Sequence, residues 1–175
     1  MVNNFDLNEQ CKVLNYILEK KVSGLAVRAI DHESIRLAIN KLAESNIPVV
    51  TFDSDITNSK RLCFVGEDHI RSGRVAGELM SKMLNGCGKV AVITGAFNIL
   101  GHNLRIKGFK NYLEEKHPEI EIVQIIETFE QDVIAYEKTL SLLEEEKQLK
   151  GIFITAGDAF SVGKAVKHLN KSSDI

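Results

Sequence analysis

The sequence predicts an α/β protein of two lobes, each built on a parallel sheet. Short apolar runs alternate with helical stripes of ten residues or more, which is the pattern of parallel strands joined by crossover helices. An apolar share of 44% over 175 residues is enough to form real cores, and that length holds one ordinary domain or two small lobes. The chain also breaks at GEDH (66–69), where one βα set ends and another begins. This places an N-terminal lobe at 1–67 and a C-terminal lobe at 68–175.

The elements follow in order. Leu7, Cys11, Leu14, Ile17 and Leu18 line one face of a first helix, and SGLAVRA (23–29) reads as a buried strand. Asp31 is placed to cap a second helix, where Ile35, Ala38, Ile39, Leu42 and Ala43 recur at helical spacing. Asn46-Ile47-Pro48 ends that helix and feeds a strand at 49–53, and RLCFVGED (61–68) reads as a crossing strand. Val75, Ala76, Leu79, Met80, Met83 and Leu84 then share one helical face, with a turn at Asn85-Gly86. A strand at 89–94 leads to a helix bearing Leu104, Phe109, Tyr112 and Leu113, which stops before Pro118. Strand 121–126, helix 131–146, strand 151–155 and helix 160–169 complete the series. The chain opens on a helix and closes just after one, so it reads as the middle of a longer protein that lacks strands at both ends.

Composition narrows the function. A net charge of −2 gives no basic face for nucleic acid. Cys11, Cys63 and Cys87 lie far apart, with neither zinc-ligand spacing nor a disulfide framework. They read as idle thiols in a reducing cytoplasm. The opening MVNNFDLNEQ has no basic-then-apolar leader, and no apolar run approaches the ~20 residues that span a bilayer. GAFNILG (95–101) lacks the dinucleotide GxGxxG, and neither GxxxxGK[ST] nor GxSxG occurs. No nucleophile–base pair emerges, so no catalytic role, cofactor or metal is expected.

In an open parallel sheet, ligands bind outside the carboxyl ends of the strands. Asp53 lies just past one such end, and Arg105 lies near the start of a helix that follows another. A carboxylate accepts from hydroxyls and a planar guanidinium donates to two oxygens, so the two suit a polyhydroxylated ligand. The plain alternatives are a turn-capping aspartate and a surface arginine. His102 and Asn103 can touch the ligand or cap the helix. Asp158 is placed as a helix N-cap that borders a strand end. Gly73 and Gly77 would let their helix lie close to its sheet.

NIPVVTFD, FVGEDHIRSGRVAGELM, GKVAVITG, RIKGF and GIFITAGDAFSVGKAV occur in the order and spacing of the type I periplasmic-binding-protein superfamily. The chain resembles its ribose-binding proteins and the effector domains of LacI-type regulators. The resemblance implies two Rossmann-like lobes, in a type I periplasmic-binding-protein fold that this sequence holds incompletely, with a sugar in the cleft and no catalysis. It puts the sugar-binding acid on Asp53, the sugar-binding arginine on Arg105 and an amide contact on His69. Ser54 stands where ribose binders have a second arginine, which counts against ribose. Gly157 replaces the asparagine of an "ND" pair, with Asp158 retained. The expected function is therefore the sugar-binding core of a LacI-type transcriptional regulator. Such a core would be cytoplasmic and homodimeric, and it would meet DNA only through an upstream helix-turn-helix absent from this sequence. The alternative is the substrate-binding protein of a sugar ABC transporter, exported or lipid-anchored through an upstream signal.

Overall fold

In the computed structural model, which describes residues 6–20 and 22–175, helix and strand alternate throughout. The first elements are α1 (Leu7–Lys20), β1 (Leu25–Val27), α2 (Glu33–Glu44), β2 (Val49–Phe52) and β3 (Cys63–Val65). Then come α3 (His69–Met83), β4 (Gly88–Thr94), α4 (Leu100–Lys116), β5 (Ile120–Glu127), α5 (Asp132–Glu145), β6 (Leu149–Ile154) and α6 (Ala159–His168). The strands form two three-stranded parallel sheets, ordered β1-β2-β3 and β5-β4-β6. Two compact units result. One holds the chain up to Glu67 together with Asn98–Gly101, and the other holds Asp68–Phe97 and His102–Ile175. This is the two-lobed α/β architecture that the alternation predicts.

Within the second unit β4 is the middle strand, and Val90, Ala91, Val92 and Ile93 are all 0% exposed. Alternation along the strand sorts them to two faces. Ala91 and Ile93 pack with Ile126, Leu142, Leu143 and Val162, the side covered by α5 and α6. Val90 and Val92 pack with Ile106, Phe109 and Leu113 of α4. The Phe109 ring stacks on that of Phe153 from β6, with centroids 4.6 Å apart, and anchors α4 to the sheet. The first unit is built on shorter strands, and its core draws on Leu14, Ile35, Ile39, Leu42, Val49 and Ile56.

The structure corrects several expectations. SGLAVRA contributes only Leu25–Val27 as strand, half-buried at the sheet edge, because just three residues find register partners on β2. RLCFVGED does not merely cross between lobes, since β3 pairs in parallel with β2, Thr51 beside Phe64. Asp31 does not cap α2. The helix starts at Glu33, so the cap position falls on His32, whose side chain accepts from the Ser34 N–H.

The face of α3 is the largest difference. Ala76, Met80 and Leu84 pack against the core as expected, but Val75, Leu79 and Met83 are 49%, 56% and 81% exposed. What α3 buries instead is a small-residue face of Gly73, Gly77 and Ser81. Its close neighbour is α4, not the sheet. A Cβ on Gly73 would fall 2.0 Å from the Arg105 carbonyl oxygen, and one on Gly108 would fall 2.0 Å from that of Ile70. Only hydrogen fits at either place, so the two helices meet backbone to backbone on the turn that carries Arg105.

Candidate functional site

Each unit gathers polar side chains at the carboxyl ends of its strands. In the first, β2 ends at Phe52 and Asp53 turns into the left-handed region at φ 56°. Aspartate tolerates that conformation better than most residues. The Asp53 N–H still donates to Val65 O at 3.2 Å, which holds the turn against β3. Beyond it, Asp55 Oδ1 accepts from the Thr51 hydroxyl at 2.6 Å, and Arg61 reaches both oxygens of Asp55 at 2.5 Å. These contacts staple the loop behind Asp53. The Asp53 carboxylate itself pairs with Arg28 from the end of β1, Nε to Oδ2 at 2.7 Å, with side chains 23% and 48% exposed for Arg28 and Asp53. Ser54 is fully buried, and its Oγ accepts from the Gly101 N–H at 3.5 Å.

In the second unit a threonine stands at each of three strand ends: Thr94, Thr128 and Thr155. The Thr155 hydroxyl donates to Thr94 Oγ1 at 2.8 Å. The Thr128 hydroxyl is shared between Thr94 O at 3.0 Å and Asp158 Oδ2 at 2.6 Å. Asp158 is 2% exposed and occupies the N-cap position of α6, but its side chain makes no cap hydrogen bond. Its carboxylate turns toward Thr128 instead, which corrects the capping role expected for it. Arg105 is half-buried on α4 and reaches the end of β6, Nη1 donating to Thr155 O at 3.3 Å.

The turn between β4 and α4 is held from several sides. His102, 2% exposed, accepts the Ala96 N–H on Nδ1 at 3.1 Å, and its Nε2 lies 3.8 Å from Glu130 Oε1. Asn103 donates to Phe97 O at 2.6 Å, and Glu127 accepts the Phe97 N–H at 2.7 Å. His69 is the first residue of α3 and is 4% exposed, and Asp68 caps that helix by accepting the Arg71 N–H at 3.0 Å. The expected site residues thus fall into two sets. Asp53 and Ser54 lie in the first unit, and His69, His102, Asn103, Arg105 and Asp158 lie in the second. Among the described residues, no group of three or more His, Cys, Asp or Glu could hold a metal ion.

Sequence reasoning missed Arg28, the threonine hydroxyls and Glu130. Arg28 follows its strand just as Asp53 does, so the strand-end rule could have found it. The threonines repeat as the residue closing VAVIT, IIET and IFIT, a signal that was present but not read. Glu130 follows Phe129, and both take left-handed backbone at φ 53° and 54°. Nothing in the sequence marks that turn.

The periplasmic binding protein domain model matches residues 2–175. The chain belongs to the periplasmic binding protein domain family. Over 106 residues, 59% of the chain and 36% of the relative, it is 24% identical to the ribose import binding protein RbsB of Escherichia coli (strain K12). The crystal structure of GanP, a glucose-galactose binding protein from Geobacillus stearothermophilus, matches with a TM-score of 0.90 at 29% identity, covering 97% of this chain and 60% of GanP. A sugar-binding protein of a sugar ABC transporter from Bacillus halodurans matches at 0.84 and 34% identity, covering 98% of this chain and 59% of that one. The family member described here therefore spans about three fifths of these solved relatives and just over a third of RbsB. Among the described residues, no helix is long and apolar enough to cross a membrane.

Proposed function

We propose that this chain is the ligand-binding body of an exported protein that delivers a sugar to an ABC-type importer. The observation that carries the reading is the chemistry at the strand ends, where an aspartate–arginine pair, Asp53 with Arg28, ends one sheet and a half-buried guanidinium, Arg105, reaches the end of the other. A carboxylate accepts hydrogen bonds at both oxygens, a chemistry that suits ligand hydroxyls at Asp53. A guanidinium offers several donors in a fixed plane, which suits ring and hydroxyl oxygens. Asp53, Arg105, His69, His102, Asn103 and Asp158 are the proposed ligand-facing set. Ser54, next to Asp53 past the same strand end, belongs to the same proposed set.

The transporter reading takes precedence over the regulator expected from the sequence because two of the relatives named above, RbsB and the Bacillus halodurans protein, are an import binding protein and a sugar ABC transporter protein. Cell fractionation separates the two: the protein in the exported fraction supports the transporter, and retention in the cytosol supports the regulator. The site itself is tested by calorimetric titration of the full chain with D-ribose, D-glucose, D-galactose and D-arabinose. Arg105→Ala should lose ~2 kcal/mol of affinity or more through loss of a charged hydrogen-bonding partner. An affinity unchanged by Arg105→Ala, or no uptake of any of these sugars by the unaltered chain, removes the proposal.

A further inference from the structure

We infer that Gln10 is a positioning residue for this site, acting through Arg28 on Asp53; the inference rests on the sugar-site reading above. Where β1 ends at Val27, the chain leaves the sheet through half-buried Arg28 and runs on buried, Ala29 at 0% and Ile30 at 1% exposure. Buried backbone groups need partners, and here a side chain supplies them. From the second turn of α1, Gln10 donates through Nε2 to Arg28 O at 3.0 Å and accepts the Ile30 N–H on Oε1 at 2.9 Å. A carboxamide carries the same donor and acceptor as a peptide group, so Gln10 gives Arg28 O and the Ile30 N–H the two partners that a peptide group would. On the inner side the Ala29 N–H reaches Ser54 O at 3.4 Å. The backbone of Arg28 is therefore held from both sides, and its guanidinium is delivered to Asp53 at 2.7 Å.

The arrangement is specific to an amide. Glutamate would keep an acceptor for Ile30 but would have no donor for Arg28 O, and methionine would match the length and supply neither. Gln10 itself is set by the start of its helix, where the Asp6 carboxylate accepts the N–H groups of Asn8 at 2.8 Å and Glu9 at 3.1 Å. The helix cap, the carboxamide and the ion pair form one relay from α1 to the strand ends.

The test is carried out on the full chain with 15N-labelled arginine, following the Nε–Hε resonance of Arg28 by nuclear magnetic resonance. Asp53→Asn defines the position of that resonance when the ion pair is lost. Gln10→Met should move it most of the way there, while thermal melting shows the fold retained. Gln10→Glu, which keeps the bond to Ile30 and so guards against a variant that fails to fold, should move it part of the way. A resonance unmoved in every folded variant overturns the inference. Titration of the same variants with D-ribose, D-glucose, D-galactose and D-arabinose adds a functional arm. Gln10→Met should weaken uptake of the sugar that binds by about tenfold, and an unchanged affinity again overturns the inference. If the unaltered chain takes up none of the four, the sugar reading fails instead, and the resonance still decides whether Gln10 positions Arg28.

Discussion

Thr128 places its hydroxyl 2.6 Å from a carboxylate oxygen of Asp158, a group only 2% exposed. A buried charge that loses a hydrogen-bond donor costs ~1–3 kcal/mol or more. Thr128→Val keeps the shape and removes the donor, so it should lower stability by about that amount in urea denaturation; an unshifted midpoint would show the contact to be dispensable. Gly157, beside it, makes the opposite prediction. A Cβ there meets no heavy atom within 4 Å, so Gly157→Asn should fold without strain. An added amide supplies one more hydrogen-bonding group beside Asp158, so on the proposed sugar reading that variant should gain up to ~1 kcal/mol of sugar affinity by titration. The place of Asp53 just past a strand and of Arg105 near the start of a helix that follows another could be read from the sequence, because hydropathy marks where a strand stops. The Arg28 pairing and the threonine contacts could not. They depend on which strands become neighbours and in what register, and one chain read alone does not state that.

Among the elements, α3 and α4 meet where each lacks a side chain. Gly73→Ala or Gly108→Ala would drive a methyl group to 2.0 Å from a carbonyl oxygen of the facing helix, so the helices must separate. Overpacking of this kind costs ~1–3 kcal/mol, and more where backbone rather than a side chain must yield. Either variant should lower the denaturation midpoint and weaken sugar uptake together, because the turn displaced is the one that carries Arg105. The same two helices are joined at the surface by Arg74 and Glu115, a two-pronged pair at 3.0 and 2.7 Å. The hydrogen bond from Arg74 holds the Glu115 carboxyl below its ordinary value of 4.5. A carboxyl lowered on folding adds stability above its unfolded value and loses it as pH falls through the folded one. Glu115→Gln should therefore melt slightly below the parent protein at neutral pH, and the gap should close on acidification; a gap that persists in acid would contradict this. The buried face of α3 was misread because an apolar count ranks Val75, Leu79 and Met83 above glycine. A missing Cβ carries no hydropathy, yet it decides how closely a helix backbone can approach.

At the scale of the molecule, the two sheets differ in reach. β4, β5 and β6 run 7, 8 and 6 residues, against 3, 4 and 3 for β1, β2 and β3. Short strands carry few ladder bonds and open at lower free energy. Native-state hydrogen exchange should find the amides of Val90–Ile93 among the slowest and those of Leu25–Val27 markedly faster; equal protection would argue for one cooperative core. The alternation of elements was legible because parallel strands require intervening helices, and each leaves its own period in the sequence. The exact edges were not, because β1 is cut short by pairing rather than by composition.

The glycine contact between α3 and α4 also governs how this chain can change over generations. A crossing fixed by two missing methyl groups has no intermediate setting: every other residue at Gly73 or Gly108 is too large, whatever its polarity. On another face of the same helix, the outward row of Val75, Leu79 and Met83 is 49%, 56% and 81% exposed and has more room to drift. A saturation library along α3, selected only for folded protein, should show tolerance rising and falling with the helical repeat. Its minima would fall on the glycines rather than on the most hydrophobic positions, so the residues easiest to overlook in the sequence would be the slowest to evolve.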